Sequence, residues 1–138
     1  MSYLLDTNVI SELRKGKAAD PAVTGWIEAM HGEGFFLSVL VVGELRKGIE
    51  RLAGRDPESA RALDDWLRGV QRRFEGRVIP IDTDIAEEWG RMSASDSPSV
   101  IDGLLAATAL VKDLTLVTRN TADVERTGVA LVNPFVLK

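Results

Sequence analysis

The hydrophobic positions of this chain alternate between short apolar runs and longer amphipathic stretches. Ser2–Leu5, Gly34–Leu37, Arg77–Ile81, Leu114–Thr118 and Gly128–Pro134 are short runs bounded by turn or capping residues and read as strands. Between them lie helical patterns with recognisable starts. Thr7–Arg14 reads as a short helix closed by Arg14-Lys15-Gly16-Lys17. Asp20-Pro21 opens a helix carrying Trp26, Ile27 and Met30, and Ser38 caps one over Val39–Leu52. Asp56-Pro57-Glu58 opens another through about Phe74, with Leu63, Trp66, Leu67 and Val70 at helical spacing. These last two helices join near Gly54 as an antiparallel pair, and their apolar faces suit a core or a dimer surface. Asp82 or Thr83 caps a helix with Ile85, Ala86 and Trp89, and Met92–Pro98 is the most loop-like stretch. Val100–Lys112 is apolar on nearly every side, the mark of a helix buried mid-domain.

Helices alternating with apolar strands predict an α/β fold: a three-layer α/β/α sandwich around a mainly parallel central sheet. No repeat, low-complexity tract or linker interrupts the pattern, so residues 1–138 are expected to form a single domain.

Three acids sit oddly in this pattern. Asp102 stands in the first turn of the apolar helix, Asp6 ends the first strand, and Glu44 is set among Val41, Val42 and Leu45. Taking an ionised carboxylate out of water costs several kcal/mol unless it is compensated. Ser99-Val100-Ile101-Asp102 also fits a helix cap, which accounts for one of them. In a parallel sheet, strand C-termini and helix N-termini share one edge, so Asp6, Glu44, Asp102 and the Asn120/Asp123 pair can converge there. By contrast, Asp82, Asp84, Glu87 and Glu88 read as ordinary acids at a helix start.

Composition narrows the chemistry. There are no cysteines, and the one histidine, His31, lies in a stretch that reads as a turn, so a thiolate or histidine zinc site is not expected. Carboxylates crowded into one cleft repel each other, and a hard divalent ion such as Mg²⁺ or Mn²⁺ relieves this with oxygen ligands. Such a site suits phosphodiester hydrolysis. Thr7, Asn8, Thr118 and Asn120 are placed to orient metal-bound water. The net charge of −4 argues against bulk-charge binding of nucleic acid but leaves room for a basic rim, for which Arg14, Lys15, Arg46, Arg119 and Arg126 are candidates. For any one of them a solvated surface is the plainer reading. No run is long enough to span a membrane, and no basic segment precedes the first apolar residues, so a soluble cytoplasmic protein is expected.

Leu4-Leu5-Asp6-Thr7-Asn8-Val9-Ile10-Ser11-Glu12-Leu13, Val42-Gly43-Glu44-Leu45, Ile101-Asp102-Gly103-Leu104-Leu105-Ala106-Ala107-Thr108-Ala109 and Thr118-Arg119-Asn120-Thr121-Ala122-Asp123 together resemble the PIN domain. More narrowly, the chain resembles VapC-type toxins of toxin–antitoxin pairs, including the FitB-like branch. The resemblance covers almost the whole chain; each motif alone is weak, and the order and spacing of the four are specific. The resemblance implies a Mg²⁺- or Mn²⁺-dependent endoribonuclease acting on RNA. It places Asp6, Glu44 and Asp102 as core acids and catalytic metal ligands, with Asp123 as the fourth and Asn120 assisting. Asn120 stands where some members carry an acid, so Asn120 and Asp123 remain alternatives. The resemblance further implies a homodimer, a VapB-like antitoxin that blocks the cleft, and operator DNA bound through that antitoxin. The alternative is a PIN-like subunit of a DNA-binding repressor complex with little catalysis of its own. A receiver or phosphatase domain fits less well, because Asp6-Thr7-Asn8 is not D-x-D, and no G-x-G-x-x-G follows a strand to suggest a dinucleotide site.

Overall fold

The computed structural model describes residues 1–95 and 98–136. Strand β1 (Ser2–Leu5) leads into α1 (Thr7–Leu13), a 3-10 turn (Gly16–Ala18) and α2 (Pro21–Ala29). Strand β2 (Gly34–Ser38) is followed by α3 (Val39–Ala53) and α4 (Pro57–Arg73). Then come β3 (Val78–Ile79), α5 (Thr83–Met92), α6 (Val100–Lys112), β4 (Thr115–Val117), α7 (Thr121–Val124), a second 3-10 turn (Glu125–Thr127) and β5 (Leu131–Val132).

The strands form one sheet in the order β3-β2-β1-β4-β5, and every pairing is parallel. The chain therefore steps outward from β1 in one direction, then crosses back and steps outward in the other. Because parallel crossovers are right-handed, this reversal puts α1–α4 on one face and α5–α7 on the other.

Local chemistry starts the helices where the caps were expected. Asp20, Ser38 and Asp82 accept from the backbone N–H of Ala22, Leu40 and Ile85, at 2.9, 3.0 and 3.0 Å. Asp56 caps α4 through Ser59. Three strands are shorter than their apolar runs, and Leu114–Thr118 loses one residue at each end to give Thr115–Val117. The run Arg77–Ile81 pairs only at Val78 and Ile79, because Pro80 has no N–H for the ladder. In Gly128–Pro134 only Leu131 and Val132 are strand, at the sheet edge. Of the loop expected over Met92–Pro98, Met92 ends α5, while Asp96 and Ser97 lie outside the described residues.

Leu4, Leu5, Leu37, Leu116 and Val117 form the floor of the core. Val9, Ile10, Val41, Leu45, Ile49, Leu67 and Val70 cover one face, so the apolar sides of the α3–α4 pair pack into the core. Leu105, Ala106 and Ala109 join the same core from α6. That helix is less enclosed than its composition suggests: Val100 and Leu110 are 59% and 38% exposed. Close approach of α5 and α6 depends on Gly103, where an added Cβ would stand 3.1 Å from the Trp89 ring. Gly103→Val should therefore cost about 1–3 kcal/mol by overpacking, read from urea denaturation midpoints. An unchanged midpoint would mean the two helices separate freely.

Candidate active site

The reversal of strand order falls between β1 and β4, and ligand sites of open α/β sheets form at such a point, past the strand C-termini. Leu5 pairs with Val117, and the Asp6 N–H donates to the Val117 carbonyl at 2.9 Å. The residues that follow, Asp6 and Thr118, therefore stand side by side. Thr118 Oγ1 donates to Asp6 Oδ2 at 2.8 Å, and the Thr7 N–H donates to Asp6 Oδ1 at 2.7 Å. Asn8 clamps both strand ends. Its amide donates to Asp6 Oδ2 and Thr118 Oγ1 at 3.4 and 3.3 Å, while its Oδ1 accepts from the Arg119 N–H at 3.2 Å. The Asn120 N–H closes the network on Thr118 Oγ1 at 3.0 Å.

Glu44 reaches the same place from α3. Thr7 Oγ1 donates to its Oε1 at 2.6 Å, joining α1 to α3. Asp102 comes from the opposite face, in the first turn of α6, where its N–H donates to the Ser99 cap at 3.4 Å. The carboxylate that has lost its water is Asp6, at 6% exposure, whereas Asp102 and Glu44 are half-buried. Burial raises the Asp6 pKa above its ordinary value; the hydrogen bonds from Thr118 and Thr7 pull it down, and the charges of Asp102 and Glu44 push it up. Two carboxylates from distant parts of the chain, Asp102 and Glu44, thus act on Asp6.

Asp123 is placed differently. It is exposed on α7 and shares no hydrogen bond with the other three acids among the described residues. Asn120, also exposed, meets the network through its backbone. Of the acids read as ordinary helix-start residues, Asp82 caps α5 by accepting from the Ile85 N–H and also pairs with Lys112 Nζ, Asp84 stands in the first turn, and Glu87 and Glu88 pair with Arg91 within the helix.

One buried acid had no assigned role. Glu12 accepts from the Asp20 N–H at 2.8 Å and Lys15 Nζ at 3.0 Å, tying the end of α1 to the start of α2. The Asp20 N–H, then Lys15, hold its carboxyl below the ordinary glutamate range. An acid between Ile10 and Leu13 on the buried side of α1 is the same signal that marks Glu44, so it was available in the sequence.

The basic rim thins out. Lys15 pairs with Glu12, and Arg46 with Asp64 and Glu50. The Arg119 guanidinium lies 3.9 Å above the Phe135 ring, and Arg126 also has a partner. Of the five candidates, Arg14 alone is exposed with no side-chain partner among the described residues.

The donor set at the strand ends is all oxygen. Among the described residues, no three acids or histidines are already closed to metal-ligand spacing. Mg²⁺ keeps several waters and takes one or two direct carboxylates, so it does not require such a cage. A desolvated carboxylate pressed by two like charges fits a group of this kind.

A sheet reversing at β1/β4, with acids gathered past the strand ends, defines a class of α/β domain that comparison with known proteins identifies. The PIN domain family model matches residues 3–129, and the chain belongs to that family. Within it the chain is similar to VapC-type toxins. It is 37% identical to the VapC ribonuclease Y4jK of Sinorhizobium fredii over 96% of each chain. It is 31% identical to the toxin FitB of Neisseria gonorrhoeae, over 96% of this chain and 97% of that one. The crystal structure of FitAcB from the same organism superposes with a TM-score of 0.88 at 31% identity, covering 98% of this chain and 99% of that one. Among the described residues no helix is long and apolar enough to cross a membrane.

Proposed function

We propose that this chain is the ribonuclease toxin of a toxin–antitoxin pair, an endoribonuclease that hydrolyses RNA phosphodiesters with Mg²⁺ or Mn²⁺. One observation carries the reading: a buried carboxylate, Asp6, sits at the sheet's switch point under the charges of Asp102 and Glu44. The 37% identity to a protein named as a VapC ribonuclease supports the choice of reaction. Asp6, Glu44 and Asp102 would hold the ion, with Asp123 the candidate fourth acid and Asn120 its alternative. When bound there, such an ion would supply Lewis-acid chemistry, polarising the phosphoryl oxygen and lowering the pKa of a water.

The chain's own residues do the positioning. Thr118 and the Thr7 N–H fix the Asp6 rotamer, and the Thr7 hydroxyl aims Glu44. The cleft is acidic and RNA is an anion, so cations at its edge must carry the flanking phosphates.

The purified chain should cleave RNA with Mn²⁺ and not in EDTA, and sequencing RNA ends after brief induction should reveal the target. Millimolar Mn²⁺ should also raise the melting temperature, because a ligand that binds only the folded state stabilises it. Asp102→Asn should blunt that rise; no response to metal in the wild type counts against the site.

The same reading extends to partners. One solved relative, 29% identical with a TM-score of 0.87, is the FitAB complex bound to a DNA fragment. For this chain we infer a homodimer, a VapB-like antitoxin that covers the cleft, and operator DNA reached through that antitoxin. If induction leaves cellular RNA intact and the acid substitutions alter only antitoxin binding, the chain is instead a weakly catalytic subunit of a repressor complex.

A further inference from the structure

Three adjoining cavities on the α1–α4 face share the half-buried Trp66. The first, of about 220 Å³, starts at Thr7 and Glu44 and is also lined by Ser11 and Arg14. The second, of about 310 Å³, runs between Arg14 and Arg73. The third, of about 260 Å³, lies under Trp66 and Phe74, with Arg73 and Arg77 at its mouth and apolar walls including Leu5 and Phe35. They form one cleft leading away from the carboxylates.

The surface cations divide into paired and unpaired ones, and among the described residues the unpaired ones include Lys17, Lys47, Arg51, Arg61 and Arg72 away from this cleft. Arg46, Arg68 and Arg91 are paired with acids. Arg77 is fixed by the carbonyls of Phe35 and Arg73 and lies 5.1 Å from the Phe74 ring centroid. Arg14 and Arg73 are exposed, and among the described residues neither side chain has a hydrogen bond or an acid partner. The dipole of α4 accounts for a cation at its last turn. It does not account for a second unpaired guanidinium, on α1, along the same cleft. On a chain of net charge −4, two uncompensated guanidinia beside an indole suit an anionic strand that also presents flat rings.

We propose that this cleft is a subsite for single-stranded RNA flanking the scissile phosphate, with Arg14 and Arg73 binding phosphates and Trp66 stacking a base. The assignment rests on the ribonuclease reading and deepens it. Guanidinium groups bind phosphate oxygens in pairs, and unpaired bases stack on aromatic and guanidinium planes. A duplex keeps its bases stacked inside and cannot place one against Trp66, so the cleft selects unpaired substrate.

The test is steady-state cleavage of a fluorogenic single-stranded RNA in Mn²⁺ by the full chain, at several salt concentrations. Arg14→Ala and Arg73→Ala should each raise KM several-fold with kcat little changed, the pattern of lost binding shared by ground and transition states. Each should also flatten the dependence of log KM on log salt by about 0.7, the value for one phosphate contact on a single strand. Both side chains are exposed, so melting temperatures should match the wild type. Trp66→Phe, which keeps a stacking face, should stay nearer wild-type KM than Trp66→Leu. Arg91→Ala, off the cleft, should leave the salt slope unchanged. If the wild type cleaves RNA and both arginine variants keep its KM and salt slope, the subsite is refuted while the ribonuclease reading stands; a cleft used for protein docking gives that result. If the wild type cleaves no RNA, both fall.

Discussion

Asp6→Asn should reduce Mn²⁺-dependent RNA cleavage by more than about a hundredfold, since even groups one step removed from a metal cost about 10–100-fold when replaced. The same substitution should affect stability in the opposite sense, and pH separates the two effects. Burial, Asp102 and Glu44 raise the Asp6 pKa in the folded chain above its ordinary value. The folded state therefore holds this proton more tightly than the unfolded state does. The stability contributed by protonated Asp6 is complete below the unfolded pKa and is lost as pH rises through the folded one. In EDTA, Asp6→Asn should thus gain melting temperature relative to wild type as pH rises above the ordinary aspartate value. Adding Mn²⁺ should reverse the ranking, because only the wild type keeps the full ligand set. An offset between the two proteins that is constant with pH would show that Asp6 is not held out of water. Wild-type cleavage rates in the variant would remove Asp6 from the chemistry.

Thr118→Val should be the more damaging change to the fold. Thr118 is 1% exposed, and its single hydroxyl serves Asp6, Asn8 and the Asn120 N–H. Valine keeps the volume but leaves a buried carboxylate oxygen and a backbone donor short of a partner. Each unsatisfied buried group costs about 1–3 kcal/mol, so a loss of about 2–4 kcal/mol is expected. For a chain of this length that lowers the melting temperature by roughly 8–15 °C. Thr118→Ser, which restores the hydroxyl, should recover most of it. The Asp6 pKa should also rise further in the valine variant, because the hydrogen bond that most lowers it is gone. A valine variant that melts with the wild type would show that water replaces the hydroxyl at no cost.

These expectations rest on a site only partly readable from the chain. Asp6, Glu44 and Asp102 stood out because a lone acid in an apolar segment needs compensation wherever the segment folds. Which of them pays for burial was not readable. Asp102 lies in the more apolar segment, yet the start of α6 reaches the sheet edge and stays half-exposed, while Asp6 is sealed in by Thr118, Asn8 and Thr7. Asp123 follows the motif in sequence, but the turn after β4 leaves it exposed on α7. Glu12 carried the same signal as Glu44 and ended as a tie between α1 and α2.

The sequence by itself determined the elements, their caps and the parallel α/β class, because periodicity and side-chain capping act over a few residues and do not depend on the rest of the molecule. Tertiary structure decided the strand order, the union of Asp6 with Thr118 across 112 positions, and which arginines remained without acid partners. Those depend on pairings between distant segments, and the energy of such a pairing exists only once both partners have been brought together.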